Sequence, residues 1–345
     1  MPRLSPLTNV LSRRGFFGEA ARGLAGAAAS TTLLSPAWSA AAAEPAVIRM
    51  TDGGPGTAGA IWRPLIDGGA YPLPPGFKID WVNGTPGQIQ LQLANGAANV
   101  AVFGALGVAE LAPRGSDIVI VGPALNNHGR WLVRDNSGIR TVKDLAGKTI
   151  ASLNEASDTF RQARLAALQH GIDLKKDTTL VFGAPTANVA LFERGDVDAV
   201  ITIEPTATRL VARGAREIAR TGDLWREATG DSAPLFLVGL AAHREWAEQN
   251  RATVTALANG LVTIHRGLRA NPQKLAELHK EFGIPDSERA AIELLPKRLI
   301  DIYSVDWGKP VFSNIERQID EAVKVGILAK RPDKPVYDVS IAVTG

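Results

Sequence analysis

Several short segments of this chain carry side chains of the type and spacing that hold a small molecule, and none has the pattern of a catalytic group. "DGGPGTAGAIW" (52–62) offers glycines that let backbone N–H groups approach an acceptor, the hydroxyl of Thr57, and Trp62 as a flat apolar wall. It lacks the G-x-G-x-x-G spacing and the G-K-[ST] ending of phosphate loops. "LNEASDTFRQ" (153–162) reads as a strand feeding a helix start, where free N–H groups and the helix dipole suit an anion. There Thr159 and Gln162 have capping-box spacing, with Ser157 and Asp158 as alternative caps. "ALNNHGRW" (124–131) presents amide donors and acceptors at Asn126 and Asn127 and a planar fork at Arg130, although an Asn-Asn pair is also turn chemistry. In "TIEP" (202–205), Glu204 can accept from a ligand amine or hydroxyl, or pair with a structural arginine.

Catalysis finds no support. The five histidines (128, 170, 243, 265, 279) have no metal-ligand spacing, and neither H-E-x-x-H nor G-x-S-x-G occurs. Cysteine is absent, which excludes disulfides, thiolate nucleophiles, thiolate metal sites and a lipid-modified N-terminal cysteine. The expectation is a non-enzyme without cofactor or metal.

The N-terminus reads as an export signal rather than as fold. "SRRGFF" (12–17) precedes a short, weakly apolar run and an alanine-rich end before Glu44, so residues 1–43 resemble a twin-arginine signal peptide. The run is too short and too rich in small residues to span a membrane. The whole chain has 38 basic and 35 acidic residues; without four arginines and one glutamate of the signal, both counts become 34. A neutral mature chain gives no electrostatic reason to expect nucleic acid or an anionic membrane as partner.

Strand-like runs alternate with helical ones after residue 45, which predicts α/β units around parallel sheets. One device occurs twice. "LQLANGAANVAVFGA" (91–105) and "LFERGDVDAVITIEP" (191–205) each run helix, glycine, polar turn, strand, with Gly96, Asn99 and Val102 matching Gly195, Asp198 and Ile201 at an offset of 99. The repetition, with a length too great for one ordinary core, predicts two lobes of similar topology. A helical C-terminal third follows, with a helix expected from Asn271 as cap to Gly283 as stop.

"TVKDLAGKTIAS" (141–152), "ALFERGDVDAVITIEP" (190–205) and "FLVGLAAHREWAEQN" (236–250) resemble segments of periplasmic substrate-binding proteins of the nitrate, sulfonate, taurine and thiamine-precursor ABC importers. The resemblance implies a two-lobed type II periplasmic-binding-protein fold, each lobe a mixed, mostly parallel sheet with flanking helices, joined by a two-strand hinge. The expected lobes are 44–132 plus 238–345, and 133–237, with "WLV" and "FLVGL" as an antiparallel-looking pair at the crossings. It also implies a ligand in the cleft, delivery to an ABC permease with a cytoplasmic ATPase, and a monomer free in the periplasm. The cleft-lining positions of such relatives fall here on 53–62, 103–106, 157–160 and 202–206, which adds Phe103 and Gly104 to the candidates. Where members often carry a Thr-Gly pair this chain has Phe103-Gly104, which loses a hydroxyl and gains an aromatic. The expectation is therefore a small organic, acidic solute lying between the 53–62 loop and the 157–160 helix start. Trp62 and Phe103 are its expected walls and Asn127 a polar contact. A periplasmic ligand sensor or an enzyme on the same fold is the alternative.

Overall fold

The computed structural model describes residues 46–69 and 77–344, so the expected export signal lies outside the described residues. Strands β1 (Ala46–Asp52) and β2 (Phe77–Asn83) pair in parallel. Strands β3 (Ala101–Phe103), β4 (Ile118–Asn126) and β10 (Phe236–His243) form a second sheet of order β3-β10-β4, with β10 antiparallel to both neighbours. The third sheet has five strands: β5 (Gly129–Val133), β6 (Thr149–Ser152), β7 (Thr179–Phe182), β8 (Ala199–Ile203) and β9 (Arg216–Arg220). Its order is β7-β6-β8-β5-β9, parallel at β6–β7 and β6–β8 and antiparallel wherever β5 takes part. The antiparallel strands are thus those next to the places where the chain changes sheet. It leaves β4 at Asn126 and enters β5 at Gly129, and returns through β10.

Both larger sheets are covered on both faces, which is why their strands are near-continuous apolar runs. Along β4, Ile118 and Ile120 face one core with Ile315 and Ile319 of the 309–324 helix, while Val119 and Val121 face another with Val254 and Leu261 of the 251–270 helix. Along β5, Trp131 and Val133 face the 158–169 helix, and Leu132 faces the 185–194 helix. The two-residue period of the strand makes this division.

The doubled device is real at atomic detail. Gly96 and Gly195 both take positive φ, 77° and 84°. Asn99 Oδ1 accepts from Arg49 N at 2.9 Å, while Asn99 N donates to Arg49 O at 2.8 Å. Asp198 Oδ2 accepts from Thr149 N at 2.9 Å, and Asp198 N donates to Thr149 O at 2.8 Å. In each copy a short side-chain acceptor pins the strand that follows the glycine to the neighbouring parallel strand.

Three local expectations are corrected. "WLV" pairs with β8 and β9 and "FLVGL" with β3 and β4, so the two lie in different sheets and not beside each other. The helix expected over 271–283 is reduced to Lys274–Glu277, because the chain turns to bury both Leu275 and Phe282 in one core. The cap of the 158–169 helix is Ser157, whose Oγ accepts from Phe160 N at 3.2 Å, and not Thr159.

Candidate functional site

The carboxyl ends of β1, β3 and β8 and the start of the 158–169 helix surround one cavity, of about 540 Å³ counting the part open to solvent. Open α/β sheets bind ligands at such strand ends. Thr57, Trp62, Ser157, Asp158 and Thr159 line it, as does Ile203 next to Glu204. Thr51, Gln90, Leu125, His128 and Val238, to which the sequence pattern assigns no site role, line it too.

Trp62 is held by a relay. Its Nε1 donates to His265 Nε2 at 3.1 Å, and His265 Nδ1 lies 2.7 Å from Ser304 O, which fixes the tautomer with the proton on Nδ1. Burial lowers the His265 pKa to about 4, so the ring is neutral at pH 7. Tyr303 stacks at a tilt on the same imidazole and donates to Ala58 O at 2.9 Å, which secures the loop before Trp62. Thr57 closes that loop by donating to Gly54 O at 2.8 Å.

Asp158 lines the cavity at the helix start, and its carboxylate is bonded to two backbone N–H groups. Its Oδ2 accepts from Gly104 N at 2.8 Å and its Oδ1 from Gly107 N at 3.0 Å. Burial pushes its carboxyl above the ordinary range, opposed by Arg161 and by those two N–H groups. Two accepted N–H bonds, one per oxygen, suit the ionised form. Gly104 has to be glycine: a Cβ there would sit 2.4 Å from Leu237 O and 2.5 Å from Asp158 Cγ. Behind it, Arg161 Nε is bonded to Glu110 Oε2 at 2.7 Å.

The remaining polar groups are few. His128 is buried, with Nδ1 2.9 Å from Asn126 O, and burial lowers its pKa to about 4. A carbonyl only accepts, so the proton is on Nδ1 and Nε2 is a bare acceptor. Gln90 is spent on Gly87 N and Val102 O. Thr51 Oγ1 is buried without a partner among the described residues. Among the described residues, no lysine or arginine lines the cavity.

The other candidates lie elsewhere. Phe103 is packed in a core, not on the cavity wall. Asn127 donates to Gln162 Oε1 at 2.6 Å and Asn126 to Asp301 O at 3.0 Å, and both border a separate, more polar cavity of about 1610 Å³ counting the part open to solvent. Glu204 is fully buried and engaged on both oxygens. Oε1 accepts from Arg130 Nε at 3.1 Å and Arg298 Nη2 at 2.6 Å; Oε2 accepts from Thr208 N at 2.9 Å. The structural pairing of Glu204, one of the two readings open in the sequence, is the one observed.

Residues 107–280, half of the chain, match the NMT1-like family. The chain belongs to the NMT1-like family. Among solved structures, this NMT1-like protein is similar to the alkanesulfonate-binding protein SsuA of Xanthomonas axonopodis pv. citri, bound to MOPS. Identity is 22%, over 86% of this chain and 99% of that one, with a TM-score of 0.63. The periplasmic aliphatic sulphonate binding protein SsuA of Escherichia coli is 23% identical over 84% and 91% of the two chains, TM-score 0.60. The desulfurization enzyme DSZB is 16% identical over 83% and 94%, TM-score 0.54. Curated protein sequences yield no match. The fold is therefore the α/β fold of the SsuA proteins, and the enzyme DSZB shares it.

Proposed function

We propose that this chain is the extracytoplasmic substrate-binding component of an ABC importer for a small organic solute. The observation that carries the reading is the cavity at the carboxyl ends of β1, β3 and β8, walled by Trp62 and closed by the 158–169 helix start. The SsuA fold supports it, since those proteins bind sulfonates in their own right. The enzyme alternative, raised by DSZB, is disfavoured by a chain without cysteine and by a cavity in which, among the described residues, no hydroxyl is hydrogen-bonded to His128.

The proposal includes two lobes, 44–132 plus 238–345 and 133–237. Sheet membership supports placing the first crossing slightly earlier, at Asn127-His128. It also includes removal of residues 1–43 on export to the periplasm by the twin-arginine route, a monomer, and a permease with its ATPase as partners. No described helix is long and apolar enough to cross a membrane. Replacing Arg13 and Arg14 by Lys should leave unprocessed protein in the cytoplasm; normal export of that double variant would discard the twin-arginine route. For ligand binding, a thermal-shift screen of sulfonates, carboxylates, amides and amines is the direct measurement. Saturation at one hundred times Kd stabilises by about 2.7 kcal/mol, and the shift should be lost in Trp62→Ala. A hit that is unaffected by Trp62→Ala and by Thr159→Ala would place the ligand elsewhere.

A further inference from the structure

We propose that His128 sets the specificity of the cavity: its Nε2 accepts a hydrogen bond from the ligand, so that among molecules of one shape and charge the cavity selects the one that carries an N–H or O–H group. This deepens the proposed function and rests on the reading of the cavity as the ligand cleft.

The passage from β4 to β5 places the ring. Asn127 N donates to Leu235 O at 2.7 Å, and Asn127 Oδ1 accepts from Gly129 N at 2.9 Å, so the backbone on both sides of His128 is fixed. His128 is 1% exposed and lines the cavity. Its Nδ1 lies 2.9 Å from Asn126 O, and a carbonyl can only accept, so Nδ1 carries the proton. The two nitrogens of an imidazole point to nearly opposite sides of the ring. Nε2 is therefore turned away from that carbonyl, and it has no hydrogen-bond partner among the described residues. Burial lowers the His128 pKa to about 4, so at neutral pH Nε2 keeps a lone pair and no proton.

The other polar groups on the wall are spent or can donate. Asp158 turns its carboxylate to Gly104 N and Gly107 N, neither of which lines the cavity. Gln90 is bonded at both ends, and Trp62 Nε1 is given to His265. Ser157 Oγ accepts from Phe160 N, which leaves its own hydrogen to donate. The hydroxyls of Thr51 and Thr159 can donate or accept. In the first turn of the 158–169 helix, the N–H groups of Asp158 and Thr159 have no acceptor within the helix. These donors suit a carboxylate, sulfonate or amide oxygen at the helix start. His128 Nε2 differs from the free hydroxyls in that it cannot turn a hydrogen toward the ligand. Thr57 Oγ1, whose hydrogen goes to Gly54 O, is the other fixed acceptor. The fitting molecule has an acceptor oxygen for the helix start, an N–H or O–H for His128, and a small body against Trp62, Ile89, Leu125 and Ile203. A ligand without the donor would bury Nε2 unpaired, and a buried polar group left unpaired discriminates more strongly than a lost apolar contact.

The test uses probe pairs in which a hydroxyl is exchanged for fluorine, which is similar in size and cannot donate. The hydroxyl members are meta- and para-hydroxybenzoate, meta- and para-hydroxybenzamide, and hydroxyethanesulfonate. Calorimetry is recorded for the parent, His128→Phe, His128→Gln and Trp62→Ala. In at least one pair the parent should bind the hydroxyl member about tenfold or more tightly than its fluoro partner. His128→Phe should abolish that preference, and His128→Gln, which keeps an acceptor, should restore part of it. A preference below about tenfold in every pair overturns the proposal, while the ligand cleft itself stands. An undiminished preference in His128→Phe overturns it as well and assigns the reading to Thr57. If the variants misfold, the parent carrying isotope-labelled histidine decides by NMR: the His128 Nε2 resonance should move with the preferred hydroxyl probe and stay in place with its fluoro partner, and a resonance that ignores both overturns the proposal. If no probe binds the parent, or if binding is unchanged in Trp62→Ala, the cleft reading fails and the role of His128 fails with it.

Discussion

Two cavities meet at the point where the chain passes from β4 to β5, and they have opposite electrostatic character. On one side Leu125 and His128 face a space with no lysine or arginine among the described residues. On the other, Asn126, Asn127 and Arg130 border a space that also receives Arg220, Arg226, Arg269, Lys297 and Arg298. The cationic side is tied down. Arg130 and Arg298 share Glu204 and Glu217, Arg220 joins at Glu217, and Arg298 comes from the 289–299 helix, far along the chain. Repulsion from neighbouring guanidiniums and, above all, burial lower the Arg130 pKa; the two acids oppose that shift. The two sides divide the labour. Charge joins elements that are distant in sequence, and the cavity at the strand ends is walled, among the described residues, by apolar and mostly uncharged side chains.

The sharpest way to break this division is Glu204→Ala. It would leave Arg130 and Arg298 next to each other with Glu217 as their one remaining shared acid, at an expected cost of about 3–5 kcal/mol in urea unfolding. A loss below about 1 kcal/mol would mean that water already solvates those guanidiniums, and the contrast between the two sides would collapse. Acid comes next, and it probes the neutral side. His128 and His265 have pKa values lowered from 6.5 to about 4, so the unfolded chain takes up protons that the folded one refuses. Stability is complete above pH 6.5 and falls as pH drops toward 4, with about 4 kcal/mol expected to be lost between pH 7 and 5 for the pair. Asp158, with its pKa raised by burial, acts in the opposite sense and reduces the net loss. Unfolding curves that coincide at pH 7 and 5 would show that the two imidazoles are not held neutral. The smallest effect is expected for Ser157→Ala, which removes the cap on Phe160 N and should cost about 1 kcal/mol. It should leave the pH dependence unchanged, because neither histidine touches that hydroxyl.

How much of this was legible in the sequence follows from the range of each interaction. The alternation of strand and helix from β6 to β8, the Ser157 alternative and the repeated Gly–x–x–Asx device depend on neighbours a few residues apart, and local pattern carried them. The cavity liners Thr57, Trp62 and 157–159 were reachable because strand-end loops and helix starts mark themselves by glycine and cap residues. Asn127 and Glu204 were placed at the right loops, but the side of the loop was not readable. A one-residue step turns Leu125 into Asn126, and with it one cavity into the other. The role of Glu204 depended on Arg298, 94 residues away, and nothing in "TIEP" points to that arginine. Phe103 followed a family pattern into the cleft, whereas the close approach of Asp158 to Gly104 turned that stretch into a backbone donor site and left the ring in the core.

The Glu204 network also sets an order in time. Its members sit at positions 130, 204, 217, 220 and 298, so during synthesis the two acids and the first two arginines leave the ribosome well before the last arginine exists. Until residue 298 arrives, the five-stranded sheet has one interior guanidinium to serve two interior acids. The helical C-terminal third is therefore more than a cover for one half of the protein. It delivers the counter-ion that lets the other half finish, and fragments that stop short of it should remain open at β8.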